Sequence, residues 1–170
     1  ASIVFEMIEF GPDQWKNIEI ITAPGISAVQ AAAARVGAPI GNDFCTISLS
    51  DLMTTQQVIL NRVKAAAEAD FIIALYNPSS KLRKTLIKKA LNIIRDHRKK
   101  ETPIVIAHSV GRKDEKIEFT TISDIETDTI DMMTLLIIGS SKTRSYFNNS
   151  REQKVYTPRG YNVLKGEKNR

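Results

Sequence analysis

The sequence predicts an α/β fold built on a mixed, largely parallel sheet. Three observations carry that prediction. Strand-like and helix-like runs alternate along most of the 170 residues. Phe71-Ile-Ile-Ala-Leu-Tyr76 is apolar without alternation, the pattern of a strand buried on both faces. Glycine, proline, serine and polar residues gather where strands end, the places where open α/β sheets bind ligands.

The elements follow in order. Ala1–Glu9 reads as the inside of a helix, so the chain is expected to start within a longer protein. Ile18–Thr22 reads as a strand. Ile26–Val36 is an alanine-rich helix stopped at Gly37, and Gly37-Ala-Pro-Ile-Gly41 has the composition of a linker. Phe44–Leu49 is a strand. Thr54 or Thr55 caps a helix running to Ala69. After the Phe71–Tyr76 strand, Pro78-Ser-Ser80 opens a basic helix with Leu82, Leu86, Ala90, Ile93 and Ile94 on one stripe. Ile104–Ala107 is a strand, and the alternating Lys116–Thr121 is suited to antiparallel pairing. Ser123–Thr127 is a turn or short helix, and Met133–Ile138 is a last core strand. Ser145–Glu152 is polar enough for a loop, Val155-Tyr-Thr157 closes the sheet, and Lys165–Arg170 frays.

Composition narrows the function. Hydrophobic residues make up 42% and charged residues 25%, the usage of an ordinary globular domain. The apolar runs fall well short of the roughly 20 residues a membrane span needs, so no membrane partner is expected. Cys45 is the single cysteine, so no internal disulfide forms, in keeping with a reducing cytoplasm. The net charge of +5 invites a nucleic-acid reading. Much of it sits in Lys81–Lys100, however, off the apolar stripe, where a solvated helix face accounts for it.

Four loops are expected to share one sheet edge: Ala23–Ser27, Tyr76–Ser80, Ala107–Arg112 and Gly139–Arg144. The chain has no Gly-x-Ser-x-Gly elbow and no phosphate-binding Gly-x-x-x-x-Gly-Lys-Ser/Thr loop. One cysteine and two histidines make no zinc cluster, and no metal is expected. His97 belongs to the basic helix surface. His108 follows a core strand and reads either as an acid/base or as a packing residue. Asp51 reads as a cap or turn residue, with a carboxylate base as the alternative.

Several motifs in order resemble one family. Pro24-Gly-Ile-Ser-Ala28, its alanine-rich helix and Gly37–Phe44 are similar to the tetrapyrrole methylase superfamily. Ile47-Ser-Leu-Ser-Asp-Leu52, Ala65–Pro78, Gly111-Arg112, Gly139–Arg144 and Thr157-Pro-Arg-Gly-Tyr161 resemble its precorrin-3B C17-methyltransferase branch, over about Ala1 to Tyr161. The resemblance implies two α/β domains with S-adenosylmethionine in the cleft between them, and a cytoplasmic homodimer. Residues 1–40 are then the end of the first domain and a linker, 41–162 the second domain, and 163–170 a flexible tail. It implies a cofactor site from Ser27, Ala28, Tyr76, Asn77, Gly111, Thr157 and Pro158. It also implies methylation of C17 of the tetrapyrrole with ring contraction.

Methyl transfer is an in-line displacement that depends mostly on alignment, which suits a chain without a catalytic triad. Ring contraction moves protons, and Asp51 and His108 are the candidates. The substrate's acetate and propionate groups call for arginine forks, and Arg112, Arg144 and Arg159 are expected to supply them. Three other readings stay open: a superfamily relative acting on RNA or protein, a module that binds without turnover, and a generic nucleotide-binding domain. Pro24-Gly-Ile-Ser27 lacks the glycine fingerprint the last would show.

Overall fold

A computed structural model describes residues 1–78 and 85–160. Its core is a five-stranded sheet in the order β2-β3-β6-β4-β5, formed by Phe44–Ser48 (β2), Ile72–Tyr76 (β3), Pro103–His108 (β4), Lys116–Thr121 (β5) and Thr134–Ile138 (β6). A second, three-stranded sheet joins the two-residue β1 (Gly37–Ala38), β8 (Gln153–Tyr156) and β7 (Arg144–Phe147).

β2 and β3 pair in parallel, as the continuous apolar run predicts, and four of the five β3 residues are buried. β5 pairs antiparallel with β4, as its alternation predicts. β6 departs from the largely parallel expectation. It lies between β3 and β4 and runs antiparallel to both, with all five residues buried. β2, β3 and β4 therefore point one way, and β5 and β6 the other.

Each face of the sheet is covered. Helices α3 (Gln56–Glu68) and α4 (Thr85–Arg95) cover one face through Ile59, Val63, Leu86, Ile87, Leu91 and Ile94, packed on Ile73, Leu75, Ile104, Leu136 and Ile138. Helix α2 (Ala28–Val36) covers the other through Val29, Ala32 and Val36, packed on Ile72, Ala74, Val105, Ala107, Leu135 and Ile137. The β-strand period of two sorts these side chains between the layers. Capping sets the helix starts. Thr55 accepts the Val58 amide at α3, and Ser27 and Gln30 form a reciprocal capping box at α2. The apolar stripe of the basic helix holds for Leu86, Ala90 and Ile94, with Ile93 partly buried against the same core, and Leu82 lies outside the described residues, as does the 163–170 tail.

Three further expectations change. Ile18–Thr22 forms no strand, and Ile18 and Ile21 are 55% and 84% exposed, because no strand among the described residues lies beside them. Part of the 145–152 loop is strand β7, which pairs Arg144–Phe147 with β8 in a hairpin. Val155 and Tyr156 close the small sheet rather than the main one, pairing with Gly37 and Ala38. Helix α1 (Ser2–Phe10) and the 3-10 turn Asp13–Asn17 bury no residue.

Candidate functional site

The strand directions decide which loops meet. The carboxyl ends of β2, β3 and β4 share one edge with the amino end of β6. Because β6 runs the other way, the Gly139–Arg144 loop leaves the sheet at the opposite edge, where Ser141 bonds Asp70 through its amide and hydroxyl. The expected set of four loops thus loses one and gains the 131–134 segment that enters β6.

A cavity of about 180 Å³ lies at that edge, lined by Ala28, Tyr76, Asn77, Ala107, Ser109, Val110, Arg112 and residues 132–135. Four of the expected residues come together in it: Ala28, Tyr76, Asn77 and Arg112. It lies on the α2 side, since Ala107 and Leu135 belong to the core layer under α2.

Tyr76 ends β3, and its hydroxyl accepts the amide of Val29 at 2.9 Å. That bond pins the start of α2 over the strand end and uses one of the helix's four orphan amides. Among the described residues no acceptor takes the hydroxyl's own proton. Asn77 turns the chain in the left-handed region at φ 49°, a conformation asparagine tolerates. Its Nδ2 donates to Ser48 Oγ at 3.1 Å and joins the ends of β2 and β3. Ser109 is also left-handed, at φ 49°, and 3% exposed. Its hydroxyl donates to Asp114 at 2.8 Å, a bond that, with nearby His108 and Arg112, holds the Asp114 carboxyl below its ordinary range. Gly111 sits at φ +79° in open space, so the site needs glycine for its backbone angle rather than for room. Its amide donates to Glu115, which Arg35 of α2 also binds.

The remaining expected residues lie elsewhere. Ser27 is the α2 cap, its hydroxyl taken by the Gln30 amide. Thr157 is 3% exposed, donates its hydroxyl to Pro39 O at 2.6 Å and lies 2.7 Å from the Thr143 hydroxyl. Arg159 donates to Gly41 O at 3.0 Å. A Cβ on Gly41 would stand 2.6 Å from Thr157 O, so this approach requires glycine. The Thr157–Arg159 stretch, Pro158 included, therefore runs against residues 37–41 and lines no part of the strand-end cavity. Arg144 lies on exposed β7, opposite Tyr156.

The two acid/base candidates are outside the cavity lining. On β4, Ile104 and Ile106 face the α3/α4 layer while Val105 and Ala107 face α2. Alternation turns His108 toward the α3/α4 side, where its Nε2 lies 3.3 Å from Asp131 Oδ2. Burial pushes the Asp131 carboxyl up, but hydrogen bonds from the Thr134 hydroxyl and the Met133 amide, with nearby His108, outweigh it and hold the group below its ordinary range. Asp51 lies on the loop between β2 and α3 and accepts Gln56 Nε2 at 2.9 Å. Thr55, not Asp51, caps that helix.

The description "Tetrapyrrole (Corrin/Porphyrin) Methylases" belongs to a family model that matches residues 1–126. The chain belongs to the tetrapyrrole methylase family. Among relatives of the chain, a precorrin-3B C(17)-methyltransferase of Sinorhizobium sp. is 42% identical over 161 residues, covering 95% of the chain and 63% of the relative. A probable cobalt-factor III C(17)-methyltransferase of Salmonella typhimurium is 37% identical, covering 96% of the chain and 64% of the relative. The solved methyltransferase CobJ superposes with a TM-score of 0.84 at 35% identity, over 93% of the chain and 64% of CobJ. The chain thus spans just under two thirds of the length of these relatives. Among its described residues, no helix is long and apolar enough to cross a membrane, and no cluster of side chains could hold a metal ion.

Proposed function

We propose that the chain is part of an S-adenosylmethionine-dependent methyltransferase that methylates C17 of precorrin-3B, or of its cobalt-containing equivalent, with ring contraction, in cobalamin biosynthesis. The observation that carries this reading is the convergence of Ala28, Tyr76, Asn77 and Arg112 on one strand-end cavity. The cavity's chemistry fits part of such a cofactor. Ala28 and Ala107 leave room on an apolar wall, and the Tyr76 hydroxyl retains a proton to donate. At about 180 Å³ it is below the roughly 300–1,000 Å³ of a complete small-molecule pocket, so this edge accounts for one portion of the ligand.

The bound cofactor supplies an electrophilic methyl group. The chain's own residues orient and desolvate. Tyr76 and Asn77 fix the strand end, and α2, held by the Tyr76 hydroxyl, shields one side. In this reading Ser27 and Gly111 act on the cofactor site through the backbone and Arg112 meets the carboxylates of the macrocycle, while Thr157, Pro158 and Arg159 hold residues 37–41 and Arg144 stands on the exposed hairpin, so these four support the site from the small sheet. The proton step of ring contraction falls to His108, oriented by Asp131, or to Asp51. Both sit on the α3/α4 side of the edge, within reach of a broad macrocycle lying across it. Residues 1–40 close the first domain and 41–162 form the second, with α2 packed on the second domain's sheet. The protein works as a cytoplasmic homodimer, which sedimentation equilibrium tests.

The deciding experiment is a calorimetric titration of S-adenosylhomocysteine. It is run on the chain, and on a chimera in which residues 1–160 replace the matching stretch of the Sinorhizobium relative. Saturable one-to-one binding and methylation of precorrin-3B by the chimera are expected. A folded chimera that binds no S-adenosylhomocysteine overturns the reading. Binding without methylation favours a module that does not turn over.

A further inference from the structure

The two walls of the strand-end cavity come from segments 80 residues apart in sequence, and one ion pair joins them. Arg35 stands in the last turn of α2, whose first residue, Ala28, lines one wall. Glu115 closes the β4–β5 turn, whose Ser109, Val110 and Arg112 line the other. Arg35 Nε donates to Glu115 Oε1 at 2.7 Å, and Arg35 Nη2 approaches Oε2 at 3.4 Å. The same Oε2 accepts the Gly111 amide at 2.6 Å. Glu115 is thus shared between a helix and a glycine turn, and its amide and helix partners compete with water for one carboxylate.

We propose that Arg35 and Glu115 act as a positioning pair, setting the separation of α2 from the 109–112 turn and so the affinity of the cavity, without touching the ligand. Neither side chain lines the cavity. Three features support this. The turn holds one non-glycine residue, Ser109, in the left-handed region, a conformation kept by its surroundings. Glu115 is kept ionised by the Arg35 hydrogen bond and then by the Gly111 amide. Exposed ion pairs add little to global stability. Loss of this one is therefore expected to change the geometry of the edge rather than unfold the chain. If the unclasped turn keeps the binding-competent arrangement about a tenth of the time, affinity falls about tenfold.

This inference rests on the proposed cofactor reading for its ligand, so its test uses two readouts on the 170-residue chain. The first is ligand-free amide exchange, by NMR, at Val29 and Gly111 in Arg35→Met. Glu115 remains in that variant, so Gly111 keeps its acceptor. Faster exchange at both amides is expected, with the melting temperature unchanged within about 2 °C, and recovery in Arg35→Lys. Unchanged exchange at either amide overturns the clasp. The second readout is the S-adenosylhomocysteine dissociation constant of Arg35→Met, Glu115→Ala and the double variant. About tenfold weakening in each single variant, and no further loss in the double, is the signature of one unit. Affinity within twofold of the parent, or additive losses, overturns the role in binding. If the parent chain binds no S-adenosylhomocysteine, that failure counts against the cofactor reading, and the exchange data alone decide the clasp.

Discussion

Arg98 is the residue whose role departs most from its sequence context. It lies in the basic stretch read as a solvated face, yet its side chain is only 1% exposed. Its guanidinium donates to the carbonyls of Ala67, Phe71, His97 and Gly139 and pairs with Asp70 at 3.3 Å. Burial pulls its pKa down while Asp70 pushes it up, and arginine stays charged through that contest. Helical periodicity could not find it, because α4 ends at Arg95 and the chain turns Arg98 inward off the helical wheel. Arg98→Met leaves buried carbonyls on three other segments without their donor. A loss of about 3 kcal/mol in urea unfolding is expected, only partly recovered in Arg98→Lys, whose ammonium cannot fork. Arg112 is the opposite case, an exposed cation at the cavity. Arg112→Gln is expected to weaken tetrapyrrole binding at least tenfold more than S-adenosylhomocysteine binding. Equal weakening of the two would assign Arg112 to the cofactor instead.

At the scale of elements, the site edge depends on carboxylates that bond backbone and hydroxyl groups. Asp114 fastens Ser109, and Asp131 fastens Met133 and Thr134. Both titrate below the ordinary carboxylate value in the folded chain. Their contribution is therefore complete above about pH 4 and is lost as pH falls through their lower folded values. The Ser109 and Met133 amide chemical shifts are expected to move below about pH 4, as the two carboxylates protonate. Asp131→Asn should shift Met133 at neutral pH and flatten its acid response. Most core strands and helices were legible, because burial on two faces leaves continuous apolar runs and capping leaves Thr55 in place. Strand direction was not. Composition is blind to whether Met133–Ile138 enters from one end or the other, and that choice moved Gly139–Arg144 to the far edge and brought Met132 and Met133 to the near one. The Tyr76 hydroxyl bond to Val29 was equally hidden, since it spans 47 residues.

For the molecule as a whole, the amino-terminal 26 residues and the sheet unit behave as different materials. None of the residues in α1 or the following turn is buried, and Ile3, Phe5, Phe10, Ile21 and Ile26 present apolar surface. Removing residues 1–26 is expected to change stability by less than about 1 kcal/mol, because no core area is lost. A larger loss in thermal unfolding would mean that the segment docks on the sheet unit in solution. The candidate site was half visible at this scale. Residues contiguous with a strand end, Tyr76, Asn77 and Arg112, were placed from sequence alone, whereas residues that meet only through the small sheet, Thr157 and Arg159, were not.

The insertion of β6 between β3 and β4 also sets an order of assembly. β3 and β4 have no hydrogen bonds to each other and meet only through residues 134–138. A nascent chain that has emerged as far as residue 130 already holds the helices and four of the five strands, yet its sheet is split, with two apolar strands exposing open edges at its centre. β6 works as a wedge that joins two half-sheets, so the slow step in assembling the five-stranded sheet should be its entry. Until then the chain is at its most prone to pair with a neighbour instead of with itself.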